Sequence, residues 1–277
     1  MIHVVTNRPF TVDVEYASRM TKSSISSFLL WVKDKDVIAV DTEAEGEFNF
    51  ENKMLSIQIG DEKIQYFFDW LSLSTEQKRE IAKIMASDRI KIFHNSKYDI
   101  KSLWFTGFKK LKNFYCTLLA ELIHNAGIDR PKSWFSLESI LYRNFKVTTE
   151  KYLRSSFTYD NILEYKSIFY ACTDIKYLIP LREKQMKILK DENLANDNCQ
   201  DEYTVLGLEN RVVFAYAEME YNGVKPDINK LDEMREEVVN HIATLESELD
   251  DIVVNDPILS KHYKLKRTHT LFGVEET

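Results

Sequence analysis

Three short apolar runs near the start of the chain restrict its fold most strongly. Residues 37–44 (VIAVDTEA), 54–60 (MLSIQIG) and 63–70 (KIQYFFDW) have the composition of β-strands, and the tight connection Gly60-Asp61-Glu62 joins the last two. Short polar connections of this kind link antiparallel neighbours. The pattern therefore predicts an antiparallel meander at the start of a sheet.

Helix-like and strand-like segments alternate after the meander. We predict a helix near 74–86, a strand at 90–94, a helix near 97–105 and a short strand near 113–116, with further helices to about residue 190. Strands that are first antiparallel and then joined by helices imply a mixed sheet covered by helices. The fold class is therefore α/β.

A polar segment divides the chain into two parts. Residues 191–201 (DENLANDNCQD) lack apolar periodicity and are rich in Asn and Asp, which is typical of a linker. We therefore predict two domains, residues 1–193 and residues 202–277, of which the second is a C-terminal helical extension.

The C-terminal part contains two helix-like segments, 203–222 and 227–254, separated by Asn222-Gly223 and Pro226. Along the second segment, apolar residues recur mostly at spacings of three and four and form a narrow seam on a charged rod. The seam consists of Leu231, Val238, Ile242, Leu245, Leu249 and Ile252. Such a seam predicts a partner.

The net charge of −7 conceals an asymmetry. Residues 1–190 contain 29 Lys/Arg against 24 Asp/Glu, whereas residues 191–277 contain 8 against 20. A basic part suits contact with a phosphate backbone, while an acidic part repels nucleic acid or meets a basic partner.

Several classes of protein are disfavoured by the sequence. It has no run of eighteen apolar residues and no leader pattern, so we expect a cytoplasmic protein without membrane spans. Three cysteines without CxxC spacing predict neither a disulfide framework nor a zinc site. The absence of a glycine-rich phosphate loop disfavours nucleotide-cofactor folds.

Two acids end the apolar run at 37–40. Asp41 and Glu43 are two residues apart on the predicted strand, so both side chains point to the same face. On its own, such a pair more often marks a solvated strand end than a catalytic site.

Three more residues, which lie later in the sequence, complete a possible site. Asp99 lies in the first turn of the helix after strand 90–94, where the helix dipole favours an acid and where Asp41 and Glu43 emerge. Tyr170 and Asp174 are four residues apart on one helix face. Each has a structural explanation by itself. Together they predict one all-oxygen cluster, which suits hard divalent cations and phosphodiester hydrolysis.

The stretches DTE, HNSKYD and YACTD resemble, in this order, the three exonuclease motifs of the tyrosine subclass of the DEDD superfamily. The resemblance spans residues 30–190 and is closest to the 3′–5′ proofreading domains of family A (polymerase I-like) DNA polymerases, often viral or phage ones. It implies a ribonuclease H-like sheet, two Mg²⁺ or Mn²⁺ ions, and release of nucleoside monophosphates from a single-stranded DNA 3′ end.

The resemblance also implies roles for individual residues. The expected metal ligands are Asp41, Glu43, Asp99 and Asp174. Tyr170 is expected to orient the attacking water, because a phenol with a pKa of about 10 is a poor base near neutral pH. Candidates for substrate contact are Thr42, Asn95, Lys97, Tyr98 and Lys101. Helix capping by Asn95 and simple solvation of the two lysines remain alternatives.

The resemblance continues beyond residue 190, but the later part of the polymerase body has no counterpart in this sequence. Residues 217–234 (AEMEYNGVKPDINKLDEM) resemble the segment that opens the polymerase body of that family, but no palm acids or fingers helix follow. We therefore expect no polymerase activity in this chain, which is either a fragment or the exonuclease piece of a polymerase encoded as separate chains. Cys116, where relatives usually carry an acid, is interpreted as structural.

Other functions remain open. A ribonuclease D-like RNA 3′ exonuclease would use the same five residues, and a catalytically silent scaffold could dock a polymerase subunit through the acidic C-terminal helices. The polymerase-like segment favours DNA. The expected setting is the cytoplasm of a bacterium or of a phage-infected host.

Overall fold

A seven-stranded sheet lies at the centre of the computed structural model. The structure describes the whole chain apart from residues 46–52, 149–156, 262–267, 271–272 and 276–277. The chain forms two compact units, Met1–Asn222 and Gly223–Thr277, and the sheet belongs to the first.

The strands of this sheet are, in chain order, β1 (Ile2–Val5), β2 (Met20–Lys22), β3 (Val37–Glu45), β4 (Lys53–Gly60), β5 (Gln65–Asp69), β6 (Ile90–Phe93) and β7 (Phe114–Cys116). Across the sheet their order is β2-β1-β5-β4-β3-β6-β7. The pairs β3–β4 and β4–β5 are antiparallel, and the other pairs are parallel. The predicted meander and the predicted mixed α/β sheet are confirmed.

The helices of the first unit are α1 (Ile25–Val32), α2 (Thr75–Met85), α3 (Ser96–Phe105), α4 (Thr117–His124), α5 (Leu137–Phe145), α6 (Tyr165–Lys176), α7 (Leu178–Asp191) and α8 (Val205–Asn222). They cover both faces of the sheet. Phe68 of β5 packs on one face against Phe28 of α1, with ring centroids 4.9 Å apart. Its neighbour Phe67 points to the other face, into an apolar cluster that includes Ile168 of α6. The alternation of β5 thus provides both apolar layers.

The sequence analysis did not predict β1, β2 and α1. The strand β1 has only four residues and pairs in parallel with β5 and β2, so its place is set by residues far away in the sequence. The helix α1 begins at a cap in which the Ser24 hydroxyl accepts the N–H of Ser27 at 3.2 Å.

The helix α8 packs against α3 and the end of the sheet. Phe214 of α8 contacts Phe114 and Trp104, with ring centroids 5.1 and 6.4 Å away. The fully buried Asn210 donates from its amide to the carbonyl of Cys199 at 2.8 Å. The sequence analysis assigned this helix to the segment that starts at residue 202, whereas the compact units of the structure divide after Asn222.

The second unit contains the long helix α9 (Ile228–Asn255), a short 3-10 turn at Leu259–Lys261, and the antiparallel pair β8 (Thr268–Thr270) and β9 (Gly273–Glu275). The Asp227 side chain caps α9 by accepting the N–H of Lys230 at 3.2 Å. All six seam residues are exposed on α9, from 40 % for Ile242 to 63 % for Ile252.

Two composition-based expectations can be compared with the described residues. All three cysteines are buried and unpaired. None of the described helices is both long and apolar enough to cross a membrane.

Candidate active site

The strand β3 places the first two acids of the site. Its residues Ile38–Val40 are fully buried, and Asp41 and Glu43, which follow toward the carboxyl end of the strand, are partly exposed. Opposite them on β4 lie Gln58 and Ser56, and the register of the pair shifts between Glu43 and Ala44. The burial of the run fixes the register, and the acids therefore share one face.

The helix α6 brings the third acid to the same point. Asp174 and Tyr170 are one turn apart on α6, and Tyr170 is 9 % exposed, beside Phe157. One carboxylate oxygen from each of Asp41, Glu43 and Asp174 lies within 4.8 Å of the other two. These acids come from distant parts of the chain and form a single cluster.

The thiol of Cys172 is buried on α6, two residues before Asp174. Burial raises the pKa of Cys172, and the negative charges of Asp41 and Asp174 raise it further. The thiol therefore stays protonated at neutral pH and adds no negative charge to the site.

The helix α3 brings Asp99 to the opposite side of β3. Asp99 is 1 % exposed and accepts a hydrogen bond on Oδ1 from the hydroxyl of Thr42, at 2.7 Å. Among the residues that the structure describes, the cluster of carboxylates within 4.8 Å comprises the other three acids and not Asp99. Asp99 nevertheless lines the same cavity as they do.

Asn95 is the residue before α3, as predicted, but it does not cap the helix with its side chain. Its backbone is left-handed, with φ 64° and ψ 49°, and its side chain makes no capping hydrogen bond. Asparagine tolerates this conformation better than most residues. Capping therefore does not explain why an asparagine stands here.

A cavity of about 410 Å³ brings the candidate residues together. It is lined by Asp41, Thr42, Glu43, Ala44, His94, Asn95, Tyr98, Asp99, Leu118, Lys132, Phe135, Ser136, Leu137, Tyr170 and Asp174. All five predicted catalytic residues are present, as are Thr42, Asn95 and Tyr98 of the predicted substrate contacts. Lys97 and Lys101 do not line it.

Lys97 and Lys101 point instead to α8, where both form ion pairs with Glu220. The hydrogen bonds from Lys101 and Lys97 lower the pKa of Glu220. The two lysines therefore bridge α3 to a carboxylate of this chain.

The cavity also contains residues that the sequence analysis missed. Lys132 and Phe135 come from a 3-10 turn between α4 and α5, and no motif marks this segment. His94 directly precedes Asn95 in the HNSKYD stretch, so its position after the strand was a usable signal.

A hydrogen bond fixes the ring of His94. The hydroxyl of Thr117 donates to the carbonyl of Phe93 at 3.1 Å and lies 2.9 Å from Nδ1 of His94. Because the hydroxyl proton is already used, Nδ1 of His94 is the donor of this second bond.

Cys116 also has a structural contact near the site. Its Sγ accepts the backbone N–H of Ser96, at 3.4 Å, and ties the first turn of α3 to the end of β7. This contact agrees with the interpretation of Cys116 as structural.

The donor set fits a divalent cation. The cluster offers carboxylate oxygens, and hard cations such as Mg²⁺ and Mn²⁺ prefer oxygen ligands. Clustered carboxylates also repel one another unless a cation or protons neutralise them.

The family follows from a sequence comparison. A family model described as 3′–5′ exonuclease matches residues 16–190. The chain belongs to this family of 3′–5′ exonucleases. The three predicted motifs lie within the matched range, so the predicted enzyme class is confirmed. No curated protein matches the chain in a sequence search.

Solved structures share the fold of this exonuclease. RNase D of Escherichia coli, an exoribonuclease involved in structured RNA processing, is 20 % identical with a TM-score of 0.56, and the match covers 73 % of this chain and 49 % of RNase D. NrnC of Brucella melitensis is 18 % identical with a TM-score of 0.60, and the match covers 82 % of this chain and 97 % of NrnC.

Two further NrnC structures contain ligands. One has bound Mg²⁺ (17 % identity, TM-score 0.58, covering 82 % of this chain and 96 % of NrnC). The other has bound pGG (15 % identity, TM-score 0.53, covering 80 % and 90 %). These similarities confirm the predicted ribonuclease H-like fold. The exonuclease chain spans about half the length of RNase D.

Proposed function

We propose that this exonuclease uses divalent cations to release nucleoside monophosphates from the 3′ end of single-stranded DNA. The observation that carries the proposal is the cluster of Asp41, Glu43 and Asp174 in a cavity that also contains Asp99 and Tyr170. A cation site requires carboxylates to gather in this way from separate elements of the fold.

Four carboxylates would hold the cations. Asp41, Glu43 and Asp174 would hold one ion, and Asp99 would help to hold a second. The chemistry that such ions would supply is a lowered pKa of the attacking water and balance of the charge on the departing 3′ oxygen. The binding of Mg²⁺ by NrnC, which has the same fold, supports this choice of ion.

The chain's own groups orient the substrate and the water. Tyr170 directs its hydroxyl to the attacking water, and its packing against Phe157 keeps the ring in place. Glu43 accepts a hydrogen bond from the terminal 3′ hydroxyl, which explains cutting from the end. Asn95 and the backbone of Thr42 contact the last phosphates, and Tyr98 packs at the site.

The preference for DNA is supported by the polymerase-like segment at residues 217–234. A second candidate substrate is RNA, because RNase D, an exoribonuclease, has the same fold. The two substrates differ at each sugar only by the 2′ hydroxyl.

Digestion of two matched oligomers tests the proposal. DNA and RNA of one sequence are labelled at the 5′ end and incubated with the protein and Mg²⁺, and a second pair carries a blocked 3′ end. We expect a ladder of shortened DNA that disappears on chelation of Mg²⁺ or on blocking of the 3′ end. Faster shortening of RNA selects the second candidate. Internal cuts, or digestion of blocked ends, contradict both.

The cellular role that we propose is proofreading for a separately encoded polymerase that binds the acidic C-terminal helices. The exposed seam of α9 and the acidity of residues 191–277 support this role. Co-purification with the polymerase product of a neighbouring gene tests it, and substitution of Ile242 and Leu249 by Ser is expected to abolish binding. If no Mg²⁺-dependent nucleotide release is found at high protein concentration, the scaffold reading replaces the enzyme.

A further inference from the structure

Thr42 stands between two acids of the candidate site but points away from them. Side chains alternate along β3, so Asp41 and Glu43 face the cluster with Asp174, while Thr42 faces the other side of the sheet. There its hydroxyl donates to Oδ1 of Asp99, at 2.7 Å. The tripeptide Asp41-Thr42-Glu43 therefore contacts Asp174 on one side of the sheet and Asp99 on the other.

The hydrogen bond from Thr42 to Asp99 is buried, and its direction is fixed. Thr42 is 3 % exposed and Asp99 is 1 % exposed, so the bond is shielded from bulk water. A hydroxyl that donates to a carboxylate forms a short, strong hydrogen bond. A β-branched side chain on a strand has few accessible rotamers, so the backbone of β3 fixes the direction in which the hydroxyl points.

Asp99 is also the acid that stands apart from the other three. It lies on α3, a different element from β3 and α6, and stands outside the group of carboxylates within 4.8 Å of one another in the described part of the chain. The bond from Thr42 links the rotation of the Asp99 carboxylate to the strand that carries Asp41 and Glu43. The spacing between the two sets of oxygens is then set by β3.

We propose that Thr42 is a positioning residue whose hydroxyl holds the Asp99 carboxylate in the orientation required for cation binding. This inference rests on the proposed function and assigns to the Thr42 side chain a task separate from the substrate contact expected of its backbone. Partners that orient metal ligands typically change metal affinity or activity by 10- to 100-fold when they are removed.

Three variants test the proposal. Thr42→Val removes the hydroxyl and keeps the branched shape, Thr42→Ser keeps the hydroxyl, and Thr42→Ala removes both the hydroxyl and the branch. Each protein is titrated with Mn²⁺ alone in a calorimeter, without nucleic acid, and is then assayed for nucleotide release over a range of Mn²⁺ concentrations. We expect Thr42→Val and Thr42→Ala to require about 10-fold more Mn²⁺ or more in both measurements, and Thr42→Ser to remain within a few-fold of the parent.

Thr6→Val is the matched control. The Thr6 hydroxyl, one residue after the end of β1, donates at 2.6 Å to Oδ2 of the fully buried Asp69. Asp69 ends β5, which is two strands from β3 in the same sheet. Thr6→Val removes this hydroxyl. It should lower the melting temperature as Thr42→Val does and leave the Mn²⁺ titration unchanged. Loss of stability alone is thereby separated from loss of positioning.

The outcomes separate this inference from the proposed function. If the parent binds Mn²⁺ and digests DNA, and Thr42→Val and Thr42→Ala match it in both, the positioning role is wrong and the function stands. If the parent neither binds Mn²⁺ nor releases nucleotides, both are wrong. If Thr42→Val does not fold, the comparison of Thr42→Ala with Thr42→Ser decides. A 10-fold loss that Thr6→Val shares identifies the effect as general destabilisation and contradicts the proposal.

Discussion

Lys101 and Glu220 join two helices that the sequence gives no reason to pair. Lys101 lies two residues after Asp99 on α3, its side chain is 11 % exposed, and it binds one oxygen of Glu220 near the end of α8. Lys97 binds the other oxygen at 2.5 Å. The role in phosphate contact that was predicted for these lysines stays a prediction, and the ion pairs indicate a second role in holding α8 against α3.

The ion pairs predict a pH dependence. The hydrogen bonds from Lys101 and Lys97 lower the pKa of Glu220 in the folded protein. Its contribution to stability is therefore complete above the unfolded-state pKa of about 4.3 and is lost as the pH falls through the lower folded-state pKa. Urea unfolding should show the parent more stable than Glu220→Gln at pH 7, with the difference shrinking below pH 4. A difference that is constant with pH contradicts this assignment.

Lys132 is expected to be a cationic phosphate contact in the cavity. It lines the cavity with the acids, whereas Lys97 and Lys101 do not. Lys132→Ala should weaken binding of single-stranded DNA and reduce the slope of log affinity against log salt by about 0.7, the value for one phosphate contact. Fluorescence anisotropy at several salt concentrations measures it. The exposed Lys110 lies outside the cavity lining, so Lys110→Ala should change neither quantity.

Asp41 is expected to be essential for activity and unfavourable for the stability of the cation-free protein. Its carboxylate lies within 4.8 Å of two others, so Asp41→Asn relieves repulsion on the order of 1 kcal/mol. Nucleotide release should fall about 10³-fold or more, while the melting temperature in a chelator rises or stays constant. A parallel fall in melting temperature would mean that Asp41 is structural.

Tyr170 is expected to act on the water and not on the cation. Tyr170→Phe keeps the ring that packs beside Phe157, with centroids 5.7 Å apart, and removes the hydroxyl. The rate of nucleotide release should fall by about 10²-fold, since the contribution of a positioned acid–base group starts at this size. The Mn²⁺ affinity, measured without nucleic acid, should be unchanged. Equal losses in rate and affinity contradict the assignment.

The boundary of the catalytic unit can be tested by truncation. A chain that ends at Asn222 retains the whole first compact unit and should keep the activity of the parent. A chain that ends at Asn193 loses α8 and exposes the rings of Trp104 and Phe114, which should lower the free energy of unfolding by several kcal/mol. Urea titrations followed by tryptophan fluorescence compare the two. Equal stability would support a division near residue 193.

Local patterns predicted much of the fold and the gathering of the acids. The shared face of Asp41 and Glu43 follows from strand alternation, and the shared face of Tyr170 and Asp174 follows from helical spacing. The meander was recognisable because consecutive strands that are joined by short connections pair in an antiparallel way. These features depend on residues close together in the sequence.

The parts that were missed depend on residues far apart. The pair Lys101–Glu220 spans 119 positions, and Lys132 reaches the cavity through a turn that carries no motif. The bond between Thr42 and Asp99 spans 57 positions, so both residues were candidates from the sequence, but the contact between them was not visible there. Contacts of this kind appear only once the helices are placed on the sheet.

The placement of Thr42 between Asp41 and Glu43 has a consequence for how this stretch can vary. One residue inserted after Val40 would turn both carboxylates toward the side of the sheet that holds Asp99 and the hydroxyl toward the side that holds Asp174. Asp99 would lose the hydrogen bond from Thr42 in the same event. A change in the length of this stretch should therefore disturb both sides of the site at once, whereas an exchange at one position alters one side only.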